Sequence, residues 1–368
     1  MENGYGSTRP RRAGRRRVAP ALAAVTAAGA LAAAMASTAG VAAASSAHRS
    51  TARAKVVPLV VYSAQGYDKL VTTTFAKKYH IPVQLDDNST GPLLTQIEAS
   101  KNNPKWGLLW VDGPTAFAAL DQQGMLLRNW EPSVKWNALG TQSIPKDKSF
   151  TPSGVTLVAA IIYDSTKVKH PPTSWQQLLS PAWKGKVGMN DPSQSGPTYP
   201  LIAGMMQYFG GVSQGEAYFS KLKANGLVIN PTNGPTLAAL GSGQIQLALV
   251  QSSAAVGATF SDKNLKVMYL KPATLLPGVM GIDSKAPKAE QAEAKLFEQY
   301  VLSPAGQKEM QFGDPTGDSL YYPVVQGVAP RKALPPLPAA SVLLTIDPYT
   351  WGARENAVNS WFTANIVQ

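Results

Sequence analysis

The chain has 368 residues, no cysteine and a formal net charge of +12 at pH 7. Its length predicts two domains, and the absence of cysteine excludes disulfides, thiolate metal sites, a cysteine nucleophile and a lipid-modified cysteine. Residues 1–50 contain seven arginines and one acid, so they account for half of the net charge. The remaining lysines and arginines are scattered, and this pattern argues against nucleic-acid binding.

The N-terminus has the composition of an export signal. A basic run, Arg9 to Arg17, precedes an Ala-rich apolar stretch, Val18 to Ala44, and small residues follow it. This order predicts a signal peptide over residues 1–47, with the mature protein starting between Ser45 and Thr51. The paired arginines leave twin-arginine export open beside the general route, and the stretch is long enough to be a membrane anchor. We expect a periplasmic protein, free after cleavage or tethered by an uncleaved leader.

Strands and helices alternate in the first part of the remaining chain. The predicted strands are Val56 to Tyr62, Val83 to Leu85 and Leu108 to Val111, and the predicted helices are Tyr67 to Tyr79, Leu93 to Ala99 and Ala116 to Leu120. Short loops between such elements are typical of a parallel α/β sheet.

A longer strand-like run, Val155 to Tyr163, predicts a crossing into a second lobe, and Val267 to Leu270 predicts the return. Further elements are predicted at residues 187–189, 227–229 and 245–250 as strands and at 201–209, 215–223, 289–300, 304–312 and 356–366 as helices, with a Pro-rich extended segment at 331–338. We therefore predict a first lobe from residues 56–151 and 275–368, and a second lobe from residues 152–274.

One turn occurs four times, as a polar residue followed by Gly-Pro. The four copies are Thr90-Gly91-Pro92, Asp112-Gly113-Pro114, Ser195-Gly196-Pro197 and Asn233-Gly234-Pro235. Each follows an apolar strand and precedes a helical stretch, and Pro is favoured in a first helical turn. Any single turn can be a plain connector. Four helix N-termini at the carboxyl ends of strands, two in each predicted lobe, indicate a cleft that binds an anion.

These motifs resemble those of the extracellular solute-binding proteins of the ferric-iron and phosphonate group, which have the type II periplasmic-binding fold. The resemblance rests on residues 60–66, 89–92, 110–113 and 303–307 and on the stretch from Trp175 to Val187. It implies an α/β protein of two lobes, each a mixed sheet flanked by helices, joined by hinge strands that close on a ligand. It also implies a receptor for an ABC permease in the inner membrane.

The predicted ligand is a small solute with an oxyanion of the phosphonate or phosphate type. The predicted ligand-binding residues lie in the turns and at strand ends: Ser63, Gln65, Ser89, Thr90, Gly91, Asp112, Ser193, Ser195, Thr198, Asn233, Thr236 and Ser252. Their donors are neutral, whereas receptors for amino acids clamp a carboxylate with arginine. Asp112 is interpreted either as a helix cap or as the partner of a cationic amine. An aminophosphonate would use both kinds of group.

Ferric-iron transport is the main alternative. Ferric-binding members of the group place adjacent tyrosines after a second-lobe strand, where this chain has Gln251-Ser252-Ser253. The pair Tyr321-Tyr322 lies elsewhere and is also interpreted as aromatic packing. His80 and His170 precede prolines and are interpreted as loop residues. No metal or other cofactor is predicted.

Two further classes stay open. A ligand sensor that serves a signalling receptor would have the same sequence features. A hydrolase is disfavoured because the chain has no Gly-x-Ser-x-Gly elbow and no histidine pair with zinc-ligand spacing. We therefore predict a monomeric binding protein without catalytic activity.

Overall fold

The computed structural model describes residues 56–368. The predicted signal peptide, residues 1–47, and the predicted start of the mature protein, between Ser45 and Thr51, lie outside the described residues. In the described part, no helix is long and apolar enough to span a membrane.

The first elements alternate as predicted. They are β1 (Leu59–Ser63), α1 (Asp68–Tyr79), β2 (Val83–Asp87), α2 (Thr90–Ala99), β3 (Leu108–Asp112), α3 (Pro114–Gln122) and α4 (Ala138–Ser143), followed by the long strand β4 (Thr151–Asp164). β1 pairs in parallel with both β2 and β3. All five residues of β3 are buried, as expected for an apolar strand covered on both faces.

The middle of the chain repeats this pattern. After short 3₁₀ turns at residues 175–179 and 181–183, it forms β5 (Val187–Asn190), α5 (Thr198–Phe209), α6 (Val212–Ala224), β6 (Val228–Asn230), α7 (Asn233–Ser242), β7 (Leu247–Val250), α8 (Ser252–Ala258) and β8 (Leu265–Ile282). The last elements are α9 (Lys288–Val301), α10 (Pro304–Gly313), β9 (Leu343–Leu344), α11 (Pro348–Gly352), α12 (Glu355–Phe362) and a π-helical turn at 363–367.

Two long antiparallel strands join the parts into one sheet of order β2-β1-β3-β8-β4-β7-β5-β6. β8 pairs with β3 through residues 278–282, and β4 pairs with β7 through residues 160–162. We call β1–β3 with α1–α3, α9 and α10 the first half, and β5–β7 with α5–α8 the second half. The structure confirms an α/β architecture in which β4 crosses to the second half and β8 returns. The residue boundaries of the two lobes remain a prediction.

The crossing strands are irregular where they pass between the halves. The pairing of β4 with β8 shifts between Val158 and Ala160, and Ala159 has a φ of 68°. Ala159 is buried, and a left-handed conformation is unfavourable for a residue with a Cβ atom. The chain therefore has a strained bulge at the junction of its halves.

The C-terminal segment contacts both halves. α11 packs on α3, and Gly352 lies so close to the Thr115 carbonyl that a side chain would not fit. Farther on, Phe362 packs edge-on against Phe219 of α6, with ring centroids 5.3 Å apart. The lobe prediction placed all of residues 275–368 in the first lobe. Val358, Phe362 and Ile366 join the apolar cluster that contains Phe219 of α6.

Candidate ligand-binding site

All four Gly-Pro turns lie at helix N-termini. They form the starts of α2, α3, α5 and α7, whose N-cap residues are Ser89, Gly113, Pro197 and Thr232. None of these four caps accepts a hydrogen bond with its side chain. The first N–H groups of these helices are therefore not satisfied by a capping side chain, and the helix dipoles favour negative charge beside them.

Two of these turns touch each other across the halves. The Gly91 N–H of α2 donates to the Gln194 carbonyl over 3.4 Å. A Cβ atom at Gly91 would overlap the Ser193 carbonyl, and one at Gly196 would overlap the Thr90 side chain. We call this contact, between Thr90-Gly91 and residues 193–196, the closure contact. Glycine is required there because the two backbones approach so closely.

A cavity of about 130 Å³ lies between the halves next to the closure contact. It is lined by Ala64, Ser89, Thr90, Asp112, Gln194, Ser195, Gly196, Pro197, Thr232, Asn233, Gln251 and Asp318. This set includes two carboxylates, hydroxyls and amides, and among these described residues there is no lysine, arginine or histidine. We call this space the cleft cavity.

Asp112 ends β3 and is held by two glutamines. Gln65 Nε2 donates to its Oδ1 over 3.1 Å, and Gln251 Nε2 donates to its Oδ2 over 2.8 Å. Gln65 Oε1 accepts in turn from the Tyr67 hydroxyl over 2.6 Å. Asp112 thus uses its oxygens in these bonds and does not cap α3. Of its two interpretations, the structure does not support the helix cap.

Asp318 is the second carboxylate of the cleft cavity. It lies in the turn after α10, where its Oδ2 accepts from the Gly66 N–H over 2.8 Å. Its Oδ1 lies 3.5 Å from the Ser253 hydroxyl of the second half. Burial raises the pKa of Asp318 to about 7, and the nearby charge of Asp112 adds to the rise. Burial likewise raises the pKa of Asp112 to about 6, although its two glutamine partners oppose the shift.

On the second half, Asn190 organises the polar side chains. Its Nδ2 donates to Asn233 Oδ1 over 2.8 Å and to Ser195 Oγ over 3.2 Å. Its Oδ1 accepts from the Thr236 hydroxyl over 2.6 Å. Since Ser195 Oγ and Asn233 Oδ1 both accept from Asn190, the serine hydroxyl proton and the asparagine amide protons remain available for a ligand.

The structure brings five of the predicted ligand-binding residues to the cleft cavity: Ser89, Thr90, Asp112, Ser195 and Asn233. Three other predicted residues do not line the cavity and form hydrogen bonds within the protein. Ser63 Oγ accepts from the Gln65 N–H, Ser252 Oγ accepts from the Leu157 N–H, and Thr236 bonds to Asn190. Gly91 and Ser193 form the closure contact. Thr198 Oγ1 is buried without a hydrogen-bond partner.

Sequence reasoning missed Asp318 and did not select Gln251. Gln251 follows β7 directly, so the rule used for the other residues, a polar residue at a strand's carboxyl end, would have found it. Asp318 follows a helix in the turn Asp314-Pro315-Thr316-Gly317-Asp318, and no strand end marks it.

The paired tyrosines belong to the core beside the crossing strands. The Tyr321 hydroxyl lies 3.1 Å from Gln307 Oε1, and the Tyr322 hydroxyl donates to the Pro335 carbonyl over 2.9 Å. Burial raises the pKa of both phenols well above the usual value. His80 and His170 are exposed and lie away from the cleft cavity.

Comparison with known proteins gives consistent matches. Residues 71–340 match the profile of a family described as bacterial extracellular solute-binding protein. A putative 2-aminoethylphosphonate-binding periplasmic protein of Salmonella paratyphi A is 24% identical over 250 residues, 66% of this chain and 71% of that protein.

Solved structures share the fold. The periplasmic binding protein AfuA of Actinobacillus pleuropneumoniae, with exogenous fructose-6-phosphate bound, superposes with a TM-score of 0.74 at 19% identity and covers 84% of this chain and 98% of its own. Iron-bound HitA of Pseudomonas aeruginosa superposes with a TM-score of 0.68 at 19% identity, over 83% of this chain and 98% of its own.

Proposed function

The chain belongs to the bacterial extracellular solute-binding protein family and is a periplasmic solute-binding protein, and we propose that its ligand is a small solute with an oxyanion at one end and an ammonium group at the other. An aminophosphonate has this structure. The observation on which the proposal depends is the composition of the cleft cavity, which combines two carboxylates with several helix N-termini.

The carboxylates Asp112 and Asp318 favour the ammonium end. Both border the cleft cavity, and its lining has no basic side chain to neutralise them. Two carboxylates facing one cavity are unfavourable when both are ionised. A bound ammonium group would remove this repulsion and would donate to the carboxylate oxygens in charge-assisted hydrogen bonds.

The helix starts favour the oxyanion end. Ser89 precedes α2 and Thr90 begins it, α5 begins three residues after Ser195, and α7 begins with Asn233. Backbone N–H groups at such ends bind phosphate-type groups without an arginine. A ligand between them would contact both halves and would therefore favour the closed arrangement over an open one.

We propose further that the protein is a monomer that delivers this solute to an ABC permease. The family supports a transport role, and the 2-aminoethylphosphonate named for the Salmonella relative supports the ligand class. A sensor role would use the same site. Titration with the purified permease complex would separate the two, since a transport receptor stimulates its ATPase activity when the ligand is present.

Titration calorimetry with three matched compounds tests the ligand proposal. We expect 2-aminoethylphosphonate to bind with a Kd in the micromolar range, about −8 kcal/mol. Ethylphosphonate lacks the ammonium group and ethylamine lacks the phosphonate, so each should bind at least tenfold more weakly. Equal binding of 2-aminoethylphosphonate and ethylphosphonate would overturn the ammonium assignment. Binding of ferric citrate alone would favour the iron alternative.

A further inference from the structure

The exposed side of the helix pair α1 and α10 carries two large apolar side chains. The described part of the chain exposes four such side chains, and Leu70 on α1 and Phe312 on α10 are two of them, 42% and 58% exposed. The helices pack on each other, and a Cβ atom at Gly313, the residue after Phe312, would lie 3.4 Å from Leu70 Cδ2. The two apolar side chains are therefore neighbours. We call the surface around them, formed by Lys69, Leu70, Lys77, Lys308, Phe312 and Arg331, the basic surface.

Basic side chains accompany the two apolar ones. Lys69 and Lys77 on α1 and Lys308 on α10 are exposed, and none of the three forms an ion pair with another residue in the described part of the chain. Lys308 and Phe312 are four residues apart on α10, a spacing that makes them neighbours on the helix surface. The Arg331 guanidinium lies over the Phe312 ring, 5.6 Å from its centroid. Cations and apolar groups thus share one surface.

The acidic side chains of the same helices are withdrawn from this surface. Asp68 is the one acid of α1 and is buried. Glu309 is the one acid of α10; it is partly buried, and its Oε2 accepts from the Tyr300 hydroxyl over 2.7 Å. The exposed side chains of α1 and α10 therefore include lysines and no acid, so the charge that this surface presents to a partner is positive.

We infer that the basic surface binds an anionic lipid membrane. Lipid phosphates attract the lysines, while Leu70 and Phe312 enter the boundary between the headgroups and the acyl chains. Lysine ammonium groups bind as point charges on flexible stems, which suits a fluid layer of headgroups. An acidic protein would satisfy the same lysines but offers no reason for the two exposed apolar side chains. The inference does not depend on the proposed ligand, because none of these residues lines the cleft cavity.

Co-sedimentation with lipid vesicles tests the inference. The purified protein is mixed with vesicles of phosphatidylcholine alone, or of phosphatidylcholine and phosphatidylglycerol in equal parts. At low ionic strength we expect at least tenfold tighter binding to the vesicles that contain phosphatidylglycerol, and this difference should shrink as salt is added. Equal binding to the two kinds of vesicle, or no binding to either, would overturn the assignment.

Two charge-reversal variants locate the contact. Lys69→Glu/Lys308→Glu should weaken binding to the phosphatidylglycerol vesicles at least tenfold, because it places negative charge against the headgroups. Lys169→Glu/Lys184→Glu changes the net charge by the same amount at exposed loop positions outside the basic surface, and it should retain most of the binding. Equal losses in the two variants, or no loss in the first, would show that the basic surface is not the contact.

Phe312→Ser distinguishes a membrane from an acidic protein and leaves the net charge unchanged. It should weaken vesicle binding at least threefold, whereas Tyr208→Ser removes a ring of similar exposure on α5 and should have no effect. A loss in Phe312→Ser no larger than that in Tyr208→Ser would overturn the inference. Poly-L-glutamate is the second probe: binding to it that requires Lys69 and Lys308, without binding to the vesicles, would assign the basic surface to an acidic protein instead.

Discussion

The side-chain amide of Gln251, in the second half, donates to Asp112 Oδ2, in the first half, over 2.8 Å. The same amide donates to Thr156 on the crossing strand β4. One glutamine therefore connects the ends of β7 and β3 to the interior of β4 beside the cleft cavity. Because this hydrogen bond joins the two halves, it is present only in the closed arrangement.

Removing the carboxylates should weaken the binding of only those ligands that carry an ammonium group. Asp112→Asn and Asp318→Asn are each expected to weaken 2-aminoethylphosphonate binding by about 1.5–3 kcal/mol, because a charge-assisted hydrogen bond is lost. Ethylphosphonate binding should stay the same or improve. Calorimetry with both compounds makes the comparison, and Asp262→Asn, in the turn between α8 and β8, is the control. Equal losses for both compounds would contradict the ammonium assignment.

Adding one methyl group at the closure contact should prevent closure. In Gly91→Ala the new Cβ would overlap the Ser193 carbonyl, a clash present only when the halves are closed. We expect at least a tenfold loss of ligand affinity and a larger radius of gyration by small-angle scattering, with thermal stability nearly unchanged. Gly234→Ala is a matched control, since it lies in the equivalent Gly-Pro turn of α7 and its Cβ would meet no atom within 4 Å. Identical behaviour of the two variants would show that closure does not need Gly91.

Stability and affinity should respond to pH in opposite directions. Asp112 and Asp318 have pKa values raised to about 6 and about 7 from 3.8, so the folded protein binds more protons than the unfolded chain between pH 4 and pH 7. Their contribution to stability is therefore present at low pH and is lost as the pH rises through these values. Affinity for an ammonium ligand should rise over the same range, because the carboxylates become ionised.

Calorimetry and thermal unfolding between pH 5 and pH 8 measure both trends. Glu298 and Glu355 also have raised pKa values, about 8 and about 7, and contribute to the stability trend with the same sign. The double variant Asp112→Asn/Asp318→Asn therefore serves as the reference. A pH-independent affinity in the original protein would refute the role of these two groups.

The buried hydroxyl of Thr198 permits a test of a different kind. Its Oγ1 has no partner in the protein, so Thr198→Val should leave stability unchanged or raise it slightly. If the hydroxyl donates to the bound oxyanion, affinity should fall by about 1 kcal/mol. Thr236→Val is the contrasting variant, because its hydroxyl donates to Asn190 and its loss should lower the melting temperature. A Thr198→Val protein with unchanged affinity would place its hydroxyl outside the site.

The features that the sequence predicted best are those set by residues adjacent in the chain. The Gly-Pro turns predict helix starts because proline removes an N–H and limits φ, and all four lie where expected. The sequence did not reveal that Thr236 and Ser252 lie behind the cleft cavity. Each side chain is 0% exposed and bonds to a residue distant in sequence, Asn190 or Leu157. Asp318 reaches the cleft cavity only through the packing of α10, so no local pattern identifies it.

The C-terminal segment adds a third crossing between the halves. It runs from β9, paired with β8 at the junction, through α11 on α3 to α12 beside the closure contact. Two adjacent strands alone resist twisting only weakly, so the halves could otherwise swing in many directions. A third link that contacts α3 and Phe219 of α6 should restrict these directions, because the chain between Leu344 and Glu355 limits how far the halves can move apart. We therefore expect the two halves to meet in the same register each time they close.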